Sequence, residues 1–261
     1  MKKLIYFFTL SIFLLSAVSC NGGRKTASSD KSDKTVVSVG SFHSVRANNG
    51  IRVILTDCQQ GKVTVRADKR YREYLRIKVV NGVLTLSVKD GDFKKKRAPK
   101  GKIEVLVPDK KVDGIYGSTG AHFIAEDIKS KNSVIVNLST GSMFRGKITA
   151  KSVSVNLSTG SAFDSFVCTD DFSMDQATGT VSTLSGSAKN ASLVSSTGST
   201  SRWGDMKIGY LDADLSTAST ATVDAEVISV GVSTAGTLRY KGLPKIKNID
   251  VSTAGSVRSV K

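Results

Sequence analysis

From Val112 to the end of the chain, apolar and polar positions alternate in short, strict runs. Val134, Val136 and Leu138 fall on one side, with Ile135, Asn137 and Ser139 on the other. Val153, Val155 and Leu157 repeat the pattern against Ser154, Asn156 and Ser158. Phe172 and Met174, then Leu211, Ala213 and Leu215, then Val230 and Val232, then Ile249 and Val251 continue it. A period of two puts one side of each run in a core and the other in water, which predicts half-buried strands and not helices.

Each run closes on one motif, seen in Leu138-Ser139-Thr140-Gly141, Leu157-Ser158-Thr159-Gly160 and Ser195-Ser196-Thr197-Gly198. Its threonines stand at 119, 140, 159, 178, 197, 217, 234 and 253, a spacing close to 19. The glycine after threonine permits a positive φ and marks a bend. In Thr217-Ala218-Ser219, Thr234-Ala235-Gly236 and Thr253-Ala254-Gly255 that glycine is missing or displaced, so a reshaped bend is expected there. A second apolar cluster follows each bend, as in Met143-Phe144 and Ala162-Phe163. Such a unit is one coil of a β-solenoid whose coils stack at about 4.8 Å. The recurring threonines are expected to form a hydroxyl ladder along one corner. Serine and threonine make up 42 of residues 112–261, which is also the composition of a glycosylated stalk. Registered valine, leucine and phenylalanine positions argue for the solenoid, because a stalk has no buried face.

The segment from Thr35 to Asp109 offers five further strands, less regularly spaced, centred on Val53, Thr64, Ile77, Leu86 and Val105. Asn81-Gly82 predicts a hairpin between the third and fourth. Asp68 to Tyr74 is the one candidate for a helical turn, and no linker separates this segment from the repeats. The order Ser41-Phe42-His43-Ser44-Val45, Gly50-Ile51-Arg52-Val53-Ile54-Leu55, Asn81-Gly82-Val83-Leu84-Thr85-Leu86, Val105-Leu106-Val107-Pro108 and then repeated Ser-Thr-Gly resembles a known family. It is the one called putative auto-transporter adhesin, head GIN domain, common among Bacteroidetes lipoproteins. The resemblance spans Val36 to Val260 and implies an all-β, right-handed parallel β-helix-like solenoid at the cell envelope. It implies adhesion and brings no catalytic residue with it.

The first residues read as an address. Lys2 and Lys3 precede an apolar stretch from Leu4 to Leu15, and Ser16-Ala17-Val18-Ser19-Cys20 follows. This resembles a bacterial lipoprotein signal, with cleavage after Ser19 and lipid on Cys20. The expected organisation is a signal peptide over 1–19, a flexible tether over 20–34 and a solenoid over 35–261. Within the last, 35–111 is a basic part and 112–261 the repeats. Asn21-Gly22-Gly23-Arg24-Lys25 lacks the acidic run of surface-exported lipoproteins, so both sides of the outer membrane remain open.

The net charge of +16 then acquires a location. Residues 21–111 hold 22 Lys/Arg against 9 Asp/Glu, whereas 112–261 hold 14 against 13. The densest run, Lys94, Lys95, Lys96 and Arg97, is a candidate contact for anionic envelope polymers; a solvated hairpin loop is the plainer reading. Nucleic acid is excluded as a partner on this reading, since the chain is exported and the run has no interleaved aromatics.

Little else in the sequence carries chemistry. His43 and His122 lack metal-ligand spacing, and no metal or cofactor is expected. Cys58 and Cys168 are read as two free thiols. A pectinase-like site would need converging carboxylates, for which Asp164, Asp170, Asp171, Asp175, Asp212 and Asp214 are the candidates. Trp203, Tyr210 and Tyr240 are either sugar platforms or core. The expected role is non-catalytic: a membrane-anchored surface for a glycan or envelope protein, with an open coil near Val257 that invites self-association.

Overall fold

A 19-residue repeat with apolar alternate positions buries them best when successive repeats lie in register, so that like stacks on like. The computed structural model describes residues 33–68, 72–89 and 102–260, and shows this arrangement. Among the described residues nineteen strands, from β1 (Asp33–Ser38) to β19 (Ser256–Val260), form one continuous sheet wound into a β-solenoid of about eight turns. Apart from helical Arg72, every regular element among the described residues is a strand. In the predicted helical turn, Arg72 is helical and Glu73 and Tyr74 form the turn that leads into β5 (Leu75–Val80).

Two stacks of parallel strands face each other. The first runs from β2 (Ser44–Ala47) through β8 (Gly114–Gly117), β10 (Ser133–Leu138) and β12 (Ser152–Leu157). It continues through the second halves of β13 (Ala162–Gln176), β14 (Val181–Ser195), β15 (Thr200–Leu215) and β16 (Thr220–Val232), and ends at β18 (Lys245–Val251). The second runs from β3 (Arg52–Thr56) through β9 (His122–Lys129), β11 (Met143–Thr149) and the first halves of β13 to β16, then β17 (Thr237–Lys241) and β19. The start of the chain departs from this rule. There β1 pairs antiparallel with β4 (Lys62–Ala67), β4 with β7 (Glu104–Pro108), and β5 with β6 (Val83–Val88). The Asn81-Gly82 hairpin joins the last pair, with φ of 50° and 73°.

One hydrophobic cluster runs between the stacks from Phe42 to Leu238. Phe123, Phe144 and Phe163 occupy one column, and the last two stack with ring centroids 5.2 Å apart. The column then changes to buried Ser182 and Ser201. Trp203 takes the space these small residues leave. It is fully buried, meets Phe172 edge-to-face and donates from Nε1 to Ser182 Oγ at 3.0 Å. The tryptophan is therefore core and not a sugar platform.

The corners hold the main departure from expectation. Both central residues of each bend are left-handed: threonine at φ 42–59° and then glycine at 67–73°. Ala218, Ala235 and Ala254 adopt φ of 59–62° in the glycine's place, so the bend keeps its shape in the later copies. The displaced glycines serve another purpose: a Cβ on Gly236 would lie 2.7 Å from Leu215 O, and one on Gly255 2.5 Å from Val232 O. A β-branched residue at positive φ is strained, and a ladder of backbone hydrogen bonds joins successive corners. Gly141 N–H donates to Thr159 O, Gly160 to Thr178 O, Gly179 to Thr197 O and Gly198 to Thr217 O, each at 2.9 Å. Ala218 donates to Thr234 O at 2.9 Å and Ala235 to Thr253 O at 3.0 Å.

The threonine thus contributes its carbonyl to the ladder, while the inter-coil hydroxyl bonds come from the serine two positions later. Ser161 Oγ donates to Leu138 O at 3.1 Å and Ser219 Oγ to Ser195 O at 2.9 Å. The hydroxyl ladder expected of the threonines lies one step inside the corner.

Glycine directly after the corner threonine is therefore a matter of backbone angle, and Gly186 one of angle and space together. Nothing lies within 4 Å of a Cβ built on Gly160, whereas one on Gly186 would lie 2.1 Å from Val167 O at φ +105°. Gly160→Ala should cost about 1 kcal/mol, and Gly186→Ala about 3 kcal/mol or more. Urea unfolding midpoints measure both, and equal losses would contradict this division of roles.

Candidate binding face and groove

Stacking consumes the backbone hydrogen bonds of every internal coil, so a ligand on the sides of the solenoid meets side chains only. On the first stack the outward side chains form columns in register. One column is Arg46, Tyr116, Asn137, Asn156, Asp175, Val194 and Asp214. The next is Ile135, Ser154, Ser173, Ser192 and Asp212. Each step along a column is one strand spacing, about 4.8 Å.

Between the first column and the corner lies an open groove of about 520 Å³. Arg46, Tyr116, Asn137, Asn156 and Asp175 line one wall, and Ser118, Ser139, Ser158 and Ser196 the other. Asn156 Nδ2 donates to Asn137 Oδ1 at 2.7 Å, which fixes both amide planes. At the groove's start the Arg46 guanidinium lies 5.2 Å over the Tyr116 ring. At that distance the ring face attracts the cation and helps to hold it at the groove. One usable hint of this wall lies in the sequence: asparagine precedes Leu-Ser-Thr-Gly in two successive copies, at 137 and 156. Arg46 and Tyr116 lie 70 residues apart, and only the register brings them together.

A second hollow of about 490 Å³ lies on the same face, lined by Ser152, Ser154, Asp171, Asn190, Tyr210 and Asp212. Asn190 Nδ2 donates to Asp171 Oδ1 at 2.9 Å, and Lys247 Nζ lies 5.1 Å over the Tyr210 ring. Tyr210 is therefore on the outer face, whereas Tyr240 packs against the core cluster.

The candidate acids separate. Asp164 pairs with Arg145 at 2.8 Å on the second stack, and Asp170 with Lys189 at 2.7 Å at the opposite bend. That contact raises the Lys189 ammonium above its ordinary range, through the Asp170 hydrogen bond first and its charge second. Asp171, Asp175, Asp212 and Asp214 share the outer face of the first stack. Asp175 and Asp214 lie two coils apart in one column, with Val194 between them. His43 accepts or donates at a single nitrogen toward two neighbours: Asp113 Oδ1 and Ser44 Oγ each lie 3.1 Å from Nδ1. A relay needs the serine and the carboxylate on opposite ring nitrogens, so this is not a Ser-His-Asp triad. His122 lies on the second stack, and no cluster of metal-ligating side chains occurs among the described residues. Cys20 and the run Lys94, Lys95, Lys96 and Arg97 lie outside the described residues.

The fold and its outer groove define a non-globular class: a β-solenoid that offers side chains in columns along its length. The match to known families is specific. The sequence pattern of the family described as putative auto-transporter adhesin, head GIN domain, covers residues 41–244, and the chain belongs to that family. Similar solved structures include a putative adhesin from Parabacteroides merdae, with TM-score 0.79 and 17% identity over 88% of this chain and 96% of that one. A putative lipid binding protein from Parabacteroides distasonis gives 0.76 and 16% over the same shares. A putative adhesin from Bacteroides fragilis gives 0.57 and 18% over 87% and 96%. At these identities the likeness is one of fold. No curated protein matches the chain.

Both remaining cysteines are free thiols in different surroundings. Cys168 is exposed and Cys58 half-buried. Burial pushes the Cys58 thiol above its ordinary value, and the carboxylates of Asp109 and Asp57 add to the shift. Only the thiolate reacts. At neutral pH a maleimide should therefore label Cys168 well before Cys58, and Cys58 should catch up as pH rises. Equal rates by mass spectrometry at neutral pH would contradict these placements.

Proposed function

We propose that the chain is a lipid-anchored envelope protein with a non-catalytic adhesive role, and that its groove takes an extended glycan along the solenoid axis. Belonging to an adhesin family supports an envelope protein that binds a partner. The observation that carries the glycan reading is the groove wall itself: amide, hydroxyl, carboxylate and guanidinium groups in register across several coils. Planar amides and hydroxyls on a rigid pitch match the repeating hydroxyls of a sugar chain. A peptide that docks by adding a strand needs a free sheet edge, which an internal coil does not offer. Anchoring through Cys20, with 21–34 as the tether, is part of this proposal and rests on the signal sequence. An envelope protein in place of the glycan, a polyanion held by Lys94 to Arg97, and a pectinase-like activity are the competing readings.

One binding experiment separates them. The full chain in detergent is screened on a glycan array and on anionic lipopolysaccharide at two salt concentrations. The proposal expects saturable glycan binding that survives moderate salt and falls about tenfold with Asn156→Ala or Tyr116→Ala, the order expected for losing a charged or paired polar contact. Binding that vanishes with salt and with Lys94→Glu and Lys95→Glu, but ignores the groove variants, would replace it with the polyanion reading. Cleaved pectin products lost with Asp212→Asn would replace it with an enzyme.

A further inference from the structure

A solenoid that keeps its core covered along the sides leaves it open where the coils stop. In the last coil Ile246 stacks on Ile228, Ile249 on Val230 and Val251 on Val232. The lower three are 0–2% exposed, whereas Ile246, Ile249 and Val251 are 41–45% exposed, and Leu243 beside them is 102% exposed. Among the described residues β18 pairs with β16 alone, so no described strand covers its outer edge. We infer that this edge pairs with a second copy of the chain, joining two solenoids end to end through an antiparallel, two-fold β18 contact.

The occupant is read from the strand's own sequence. A register shift between Ile228 and Ser229 makes Lys247 an extra residue. Ile246 and Ile249 therefore both face the core although they are three positions apart, while Lys245, Asn248 and Asp250 face outward. Reversed against itself about its centre, the segment Lys245-Ile246-Lys247-Asn248-Ile249-Asp250 is self-complementary. Lys245 meets Asp250 of the second copy, Ile246 meets Ile249, and Lys247 meets Asn248. Directly opposed residues in an antiparallel pair share a face, so both apolar pairs close the core and both ion pairs lie outside. Lysine on a free edge ordinarily discourages pairing. Here each terminal lysine has an acid in register, so charge selects one register instead. Head-to-tail stacking would set β18 against β5, whose outward Arg76 and Lys78 oppose Lys245 and Lys247 with like charge. The two-fold contact is isologous and closes after two copies. It is independent of the ligand reading, and it uses residues beyond 244, where the family match ends.

The test is sedimentation equilibrium of the full chain in density-matched detergent. The native chain should be a dimer. Lys245→Asp or Asp250→Lys turns two attractive pairs repulsive and should weaken dimerisation about tenfold or more. The double variant, Lys245→Asp with Asp250→Lys, should restore it. A monomer at all concentrations, a dimer indifferent to both single changes, or an indefinite polymer would each overturn the inference. Rescue by the double variant also distinguishes a broken contact from a misfolded coil.

Discussion

Everything else in this structure depends on the corner ladder. A backbone that turns through two successive left-handed residues would be costly with threonine and alanine in an isolated loop. In the solenoid the same geometry aims the second residue's N–H at the threonine carbonyl of the next coil, and the bond repeats down the edge at 2.9–3.0 Å. Each corner thereby sets the position of the next. Fixed corners keep the strands in register, and register stacks phenylalanine on phenylalanine in the core and asparagine on asparagine outside. Strain at each bend is offset by cooperation between bends, which a repeat protein can arrange and a single hairpin cannot.

Register is also what makes a surface. The side chains of the groove come from strands far apart in sequence, yet each is placed by the coil beneath it and needs no loop of its own. Such a face is preorganised: little side-chain freedom remains to be lost by the Asn137–Asn156 pair or by Arg46 on Tyr116 when a ligand arrives. The same regularity has a cost at the ends. At the N-terminal end the chain changes to antiparallel pairing through β1, β4 and β5. At the other end the apolar Ile246, Ile249 and Val251 of β18 are 41–45% exposed.

The solenoid was legible in the sequence because its cause is periodic. Alternating valine and leucine before each Ser-Thr-Gly defines strand, face and corner together, and Asn81-Gly82 announces its own turn. What stayed hidden depends on neighbours in the next coil. A sequence reader assigns positive φ to glycine, yet Ala218, Ala235 and Ala254 all adopt it, the first two also giving their N–H to the ladder. Threonine looks like the bonding hydroxyl, but its corner faces water, and the serine two residues on reaches the carbonyl of the coil before. The sequence leaves Trp203 open between core and surface platform, because only the register reveals that Ser182 and Ser201 leave room for it. The groove followed the same rule: its asparagines repeat and were visible, whereas Arg46 and Tyr116 meet only after folding.

Amide hydrogen exchange at the corners measures the ladder most directly. Gly160, Gly179, Gly198, Ala218 and Ala235 lie at exposed bends, where amides ordinarily exchange as fast as loops. If the ladder holds the solenoid in register, these five should exchange as slowly as the strand amides on either side, alanine and glycine corners alike. Fast exchange at the corners beside protected strands would mean that the strands set the register themselves, and that the bends merely connect them.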